Sequence, residues 1–149
     1  LLFEPGRYLV GNAGVLVTRV IRVKEGLSRR FVVVDAGMND LLRPALYDAR
    51  HNILPLDETA PDAEESPADV VGPVCETGDS FAEAKLLPPM AEGDLLAVCS
   101  AGAYGAVMAS TYNSRPLVPE VMVRGAAYAV VRLRQEVDVP LEMEQTPDW

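Results

Sequence analysis

The chain has 149 residues, nearly half of them apolar, and a formal net charge of −9 at pH 7. This length allows one domain with a buried core, and the composition is not that of a disordered chain. The negative charge argues against nucleic acids and anionic membranes as partners, because phosphates would be repelled. No apolar run approaches the roughly 20 residues of a membrane span, and no signal peptide is visible. With only two cysteines, we expect a cytoplasmic protein with reduced thiols.

Strand signals dominate the chain. Runs rich in β-branched residues alternate with glycine-containing turns, and two such pairs predict hairpins. The regular recurrence of short strands predicts a mainly β, single-domain protein over residues 1–149, built as an antiparallel β-barrel with one or two short helices. The predicted strands cover residues 15–23, 31–34, 70–71, 94–99, 120–123 and 127–133.

Two segments predict short helices. Residues 40–50 carry apolar side chains at helical spacing, with Asn39 or Asp40 available as a cap and Pro44 in the first turn. A second short helix is predicted after Tyr104, through residues 106–109.

Two other features concern the limits of the domain. The acidic, proline-containing segment 57–69 predicts a mobile surface loop. The chain opens on Leu1, inside an apolar run, and this predicts that it begins within a larger protein.

The segment Glu4–Arg7 follows an apolar run and is a candidate binding turn. Pro5 fixes one backbone angle and Gly6 lets the main chain approach a ligand closely. N–H groups of such a turn can hold a phosphate, and Arg7 can form paired bonds to a carboxylate. The alternative is an ordinary turn with a solvent-facing arginine.

Arg43 and Tyr47 are four residues apart, so a helix would present them on one face. A planar cation beside a phenol suits a carboxylate ligand. The alternative is a solvated helix face on which Arg43 pairs with Asp40 or Asp48.

A glycine-bounded loop, Gly72–Asp79, carries Cys75 beside Glu76. A thiol next to a carboxylate can deliver or accept a proton at a bound substrate, and Glu76 could bind an amino group. The alternative is a buried, unreactive Cys75.

Tyr104 lies between Gly102 and Gly105, which leave room for a flat ligand whose phosphate could accept from the phenol. The alternative is a core tyrosine beside a tight bend. His51 is the sole histidine; we interpret it as structural and predict no metal site.

Taken in order, four motifs resemble the carboxy-terminal part of the diaminopimelate decarboxylase family. The likeness runs from residue 3 to about residue 123. The motifs are Glu4–Arg7, Asp35–Tyr47, Gly72–Asp79 and Gly102–Gly105.

The resemblance implies a homodimeric, pyridoxal-phosphate-dependent decarboxylase that converts meso-diaminopimelate to L-lysine and carbon dioxide. By that likeness Glu4, Pro5, Gly6, Arg7 and Tyr104 contact the cofactor, and Cys75, from the other subunit, is the catalytic proton donor. The substrate-binding residues implied are Arg7, Arg43, Tyr47, Glu76 and Tyr104.

The family's amino-terminal (β/α)₈ barrel, which carries the Schiff-base lysine, has no counterpart in this sequence. Lys24 and Lys85 are the only lysines, and neither has the setting of a cofactor lysine. We therefore expect the segment alone to be inactive. The alternatives are a decarboxylase of another basic amino acid, such as ornithine, arginine or carboxynorspermidine, and a non-catalytic binding or regulatory domain of the same fold.

Overall fold

The computed structural model describes residues 1–57 and 63–149. The chain divides into two compact units, Leu1–Ala109 and Ser110–Trp149. In the part of the chain that is described, no helix is both long and apolar enough to cross a membrane. The described residues of the first unit form six strands: β1 (Leu16–Glu25), β2 (Arg30–Val34), β3 (Ile53–Pro55), β4 (Ser66–Val71), β5 (Ser80–Leu87) and β6 (Leu95–Val98).

These six strands form one sheet in the order β3-β6-β1-β2-β4-β5. The sheet is nearly closed as a barrel, and Lys85 Nζ of the edge strand β5 donates to Asn52 Oδ1, just before the other edge strand β3, at 3.0 Å. The mainly β barrel predicted from the sequence is thus confirmed. One pair departs from the antiparallel expectation, because β2 and β4 run parallel. A long crossover through a helix and β3 separates these strands and makes parallel pairing possible.

The core follows from alternation along the strands. Val32 and Val34 of β2 are fully buried, and in the parallel pair Val32 lies opposite the buried Val70 of β4. Leu96 and Val98 of β6, again two residues apart, are also fully buried. Side chains two apart point to one face of a sheet, so each strand contributes one apolar row to the interior.

The first predicted hairpin is confirmed by antiparallel pairing of β1 with β2. The sequence reading missed β3 and β5. Strand β5 contains Glu83, Lys85 and two alanines, residue types of low strand propensity, and tertiary pairing with β4 overrides that preference.

Helices are short. Helix α1 (Gly6–Val10) occupies part of the predicted Glu4–Arg7 turn. Helix α2 (Arg43–Tyr47) is shorter at both ends than the predicted 40–50. Pro44 lies in its first turn as expected, but the predicted cap is wrong because Leu42 is the N-cap residue. Asp40 is buried, and its carboxylate accepts from Gly37 N at 2.8 Å. The second predicted helix is a single 3₁₀ turn, Ala106–Met108.

The predicted acidic loop 57–69 is only partly accessible to comparison, since residues 58–62 lie outside the described residues. Its last residues are not loop. They belong to β4 (Ser66–Val71), which pairs with β5 on one side and β2 on the other. Backbone hydrogen bonds to two neighbours fix this stretch in spite of Pro67.

The second unit contains the second predicted hairpin, which is confirmed: β7 (Glu120–Arg124) pairs antiparallel with β8 (Ala127–Arg132). Gly125, in the turn between them, has a φ of 60°, a left-handed conformation that favours glycine. Helix α3 (Val139–Glu142) follows.

Candidate functional site

The candidate site lies at the carboxyl end of β6. There, backbone hydrogen bonds join the segment after β6 to the turn after α1. Ala101 N donates to the carbonyl of Gly14 at 2.9 Å, and Gly102 N donates to that of Gly11 at 3.0 Å. A side chain at Gly102 would collide with the carbonyl oxygen of Val10, so glycine is required for this close approach. The contact brings α1, with Arg7, beside the loop that carries Tyr104.

The segment after α2 lies on the other side of the same strand end. Cys99 N donates to the carbonyl of Asn52 at 2.8 Å, and His51 Nδ1 lies 2.8 Å from the Cys99 carbonyl oxygen. Since a carbonyl only accepts, Nδ1 must carry the proton. Asp48, just after α2, has a left-handed φ of 52°, which ends the helix and directs residues 49–51 toward β6.

These contacts border a cavity of about 760 Å³ that is open to solvent on one side. Its described lining contains three arginines, Arg7, Arg43 and Arg50, together with Tyr47 and His51, and no carboxylate side chain. Such a cavity attracts anions, and guanidinium groups bind carboxylates and phosphates through paired hydrogen bonds. The sequence reading named Arg7, Arg43 and Tyr47, and the structure brings these three together.

Arg43 lies between two aromatic rings. Its guanidinium carbon is 5.6 Å from the ring centre of Tyr47 and 5.5 Å from that of Tyr104. Cation–π contacts at these distances hold the guanidinium in place while its N–H groups remain available. Among the described residues Arg43 forms no ion pair, so neither Asp40 nor Asp48 neutralises it as the alternative proposed.

Tyr104 lines a smaller cavity with Arg43, Tyr47 and Met108. Its backbone has a φ of 58°, which is rare for a bulky residue and costs on the order of 1–3 kcal/mol. Half-exposed and not buried, it is not the core tyrosine of the alternative reading. The strained backbone is the means by which the ring is presented to Arg43.

Cys75 and Glu76 occupy a separate position. Both are exposed, and neither belongs to the described lining of the two cavities. Cys75 is a free thiol and is exposed to solvent, and this exposure excludes the buried alternative. Their loop is held by the buried Asp79, whose Oδ2 accepts from Val74 N at 2.6 Å.

The remaining candidates lie at the start of the chain. Glu4, Pro5 and Gly6 are exposed and do not line the described cavities, although Arg7 of the same motif does. Their predicted contacts with a cofactor therefore stay predictions.

Sequence reasoning missed Arg50 and assigned His51 a purely structural role. Had α2 continued to Arg50, that side chain would have been a helix-surface residue. The early helix end at Asp48 places it in the cavity wall instead. An Asp in a left-handed conformation can end a helix. Here α2 ends at Tyr47, three residues before the end at Arg50 that the apolar spacing predicted.

Comparison with known proteins gives the class. The family model described as pyridoxal-dependent decarboxylase, C-terminal sheet domain, matches residues 7–102. The chain belongs to this family, and the family is pyridoxal-dependent.

Several of the individual proteins that the chain resembles carry the name diaminopimelate decarboxylase. The chain is 55% identical over 149 residues to the diaminopimelate decarboxylase of Zymomonas mobilis, covering 100% of this chain and 35% of that protein. The structure of the Helicobacter pylori diaminopimelate decarboxylase complexed with L-lysine matches with a TM-score of 0.85 and 45% identity, over 93% of this chain and 34% of that one. The M. jannaschii diaminopimelate decarboxylase matches with a TM-score of 0.90 and 33% identity, over 95% of this chain and 32% of that one. The chain thus spans about a third of the length of the relatives it matches.

Proposed function

We propose that this chain supplies the β-barrel part of a pyridoxal-phosphate-dependent decarboxylase that converts meso-diaminopimelate to L-lysine and carbon dioxide. The observation that carries the proposal is the cavity lined by Arg7, Arg43 and Arg50 without a described carboxylate. Meso-diaminopimelate has two amino-carboxylate ends, so the end that does not react still presents a carboxylate. Ornithine has only an ammonium there, and three guanidinium groups would repel it.

The donors of the site fit the cofactor. A phosphate suits a cavity with several guanidinium groups, and the phenol of Tyr104, beside Arg43, can donate to it. In this proposal Glu4, Pro5, Gly6, Arg7 and Tyr104 contact pyridoxal phosphate. When bound, the cofactor accepts the electron pair released as carbon dioxide leaves.

The lysine that binds the cofactor covalently must come from outside the chain. Lys24 is exposed in strand β1, and Lys85 donates to Asn52 at the seam of the barrel. Neither lines the described cavities. The segment alone should therefore be inactive and needs the amino-terminal domain that the longer relatives have room for. The exposed apolar side chains of Leu2, Phe3 and Leu9 offer a surface that such a domain could cover.

The reaction also needs a proton donor and a group that binds the ammonium at the unreactive end of the substrate. Cys75 is the candidate donor to the carbon that has lost carbon dioxide, and Glu76 the candidate partner of the ammonium. Both are exposed and lie outside the described cavity lining. We therefore propose a homodimer in which this loop completes the site of the partner subunit.

Arg43→Ala in the full-length enzyme tests the binding role. The loss of charge-assisted hydrogen bonds worth about 1.5–3 kcal/mol should raise KM for meso-diaminopimelate by roughly 10- to 150-fold, with a smaller effect on kcat. Arg22, exposed on β1 and outside the cavity, provides the matched control: Arg22→Ala should leave both constants unchanged. A KM for Arg43→Ala within twofold of the parent would contradict the assignment. If the parent enzyme prefers ornithine or arginine over meso-diaminopimelate, the proposed substrate is wrong.

A further inference from the structure

The carboxylate of Asp79 lies between two of the segments that carry site residues. Asp79 is 4% exposed. Its Oδ1 accepts from Met38 N at 2.7 Å, and its Oδ2 accepts from Val74 N at 2.6 Å. Met38 belongs to the turn that leads into α2, whereas Val74 directly precedes Cys75. One side chain thus binds both the segment of Arg43 and the loop of Cys75.

The backbone around Asp79 is shaped to seat this carboxylate. Gly72 N donates to the Asp79 carbonyl at 3.0 Å, and Asp79 N donates to that of Glu76 at 3.1 Å, which closes the loop. A side chain at Gly72 would collide with the carboxylate of Asp79. Glycine at position 72 is therefore explained by the space that Asp79 needs, and not by an unusual backbone angle.

The bracing continues into α2. Asp40 Oδ2 accepts from Gly37 N at 2.8 Å, and Leu41 N donates to the Gly37 carbonyl at 3.3 Å. Leu41 is 1% exposed and belongs to the core. Hydrogen bonds therefore connect Val74 through Asp79 to the turn that precedes α2, whose first residue is Arg43.

We propose that Asp79 is a positioning residue that holds the Cys75 loop in register with the substrate-binding face of α2. The inference rests on the proposed function. Arg43 faces the cavity of its own chain, and in the homodimer Cys75 serves the site of the partner. Asp79 therefore links the binding half of one active site to the proton-donating half of the other, and loss of the link disturbs binding and proton transfer together.

Asp79→Asn in the full-length enzyme tests the proposal. Asparagine has the same size, but its NH₂ cannot accept from whichever backbone N–H it faces. We expect kcat to fall about tenfold or more, since small misplacements of reacting groups cost up to about 100-fold, and KM to rise severalfold. Cys75→Ala should instead lower kcat with little change in KM.

Asp69→Asn is the matched control. Asp69 is also buried, and it accepts from Ala84 N at 2.8 Å and Arg29 Nη1 at 3.0 Å, but it does not contact either site segment through these bonds. Its replacement should cost comparable stability and leave kcat and KM within twofold of the parent. Equal kinetic losses in both variants would show a general effect of stability and overturn the proposal.

Reaction in D₂O gives a readout that stability does not move. A positioned donor adds deuterium to one face, so the parent should give lysine of one configuration at the labelled carbon, and Asp79→Asn a mixture. Parent-like kinetics and configuration would overturn the role of Asp79. If Asp79→Asn fails to fold, Gly72→Ala displaces the same carboxylate and should give the same pattern; parent-like behaviour there overturns the role equally. Normal turnover of Cys75→Ala would instead remove Cys75 as the proton donor, whereas a full-length enzyme that does not decarboxylate meso-diaminopimelate would refute the proposed function itself.

Discussion

A mixed dimer tests whether the site is shared between subunits. One subunit carries Cys75→Ala and the other Arg43→Ala. If the Cys75 loop completes the partner's site, one of the two sites in this dimer has Arg43 and Cys75 intact, and the other lacks both. If each site uses the two residues of its own chain, both sites have one defect. The two arrangements therefore differ in the number of intact sites.

The expected magnitudes separate these cases clearly. Cys75→Ala should lower turnover by about 10²–10⁴, as for other general-acid groups. The Arg43 guanidinium lies in a cavity without a described carboxylate, so its loss removes about 1.5–3 kcal/mol of binding. At substrate concentrations well below the parent KM, both altered homodimers should then retain less than about a tenth of the parent rate. A shared site predicts about half of the parent rate in the mixed dimer.

The assay measures lysine formation by the mixed dimer, obtained by co-expressing the two subunits with different tags and purifying on both. A dimer of Cys75→Ala with Arg22→Ala should give about half of the parent rate in either arrangement, since Arg22 lies outside the cavity, and shows that mixed dimers are competent. If the Cys75→Ala and Arg43→Ala dimer is no faster than the two homodimers, the shared site is refuted.

Two further predictions concern the chain itself. The 149-residue chain mixed with pyridoxal phosphate should show no Schiff-base absorbance band; a strong band that disappears with Lys24→Ala or Lys85→Ala would contradict an external cofactor lysine. Gly102→Ala should lower the free energy of unfolding by about 1–3 kcal/mol, because the new methyl group meets the carbonyl of Val10, as denaturant unfolding would measure. Gly78→Ala is its control, since there the methyl group meets only Ala45 at ordinary contact distance, and an equal loss in both variants would count against the close-approach argument.

The sequence predicted the parts of this molecule that depend on local pattern. Alternating β-branched residues located the first hairpin, and the spacing of Arg43 and Tyr47 placed them on one helical face. It could not predict how long α2 is, because that depends on the left-handed turn at Asp48 and on Asn52 bonding to Cys99. Arg50 was missed for the same reason. A cavity wall built from separate segments has no local signature.

The parallel pairing of β2 with β4, which the sequence did not reveal, explains how two motifs that are separate in the sequence come into contact. Val33 pairs with Val71, so the carboxyl ends of both strands lie side by side at the same end of the sheet. The turn containing Met38 follows one strand end and the Gly72–Asp79 loop follows the other. Antiparallel pairing would have placed these two segments at opposite ends of the strands. Parallel pairing brings Met38 N within 2.7 Å of Asp79 Oδ1, so the strand direction itself brings the loop of the proposed proton donor beside the turn that leads into α2, the proposed substrate-binding helix.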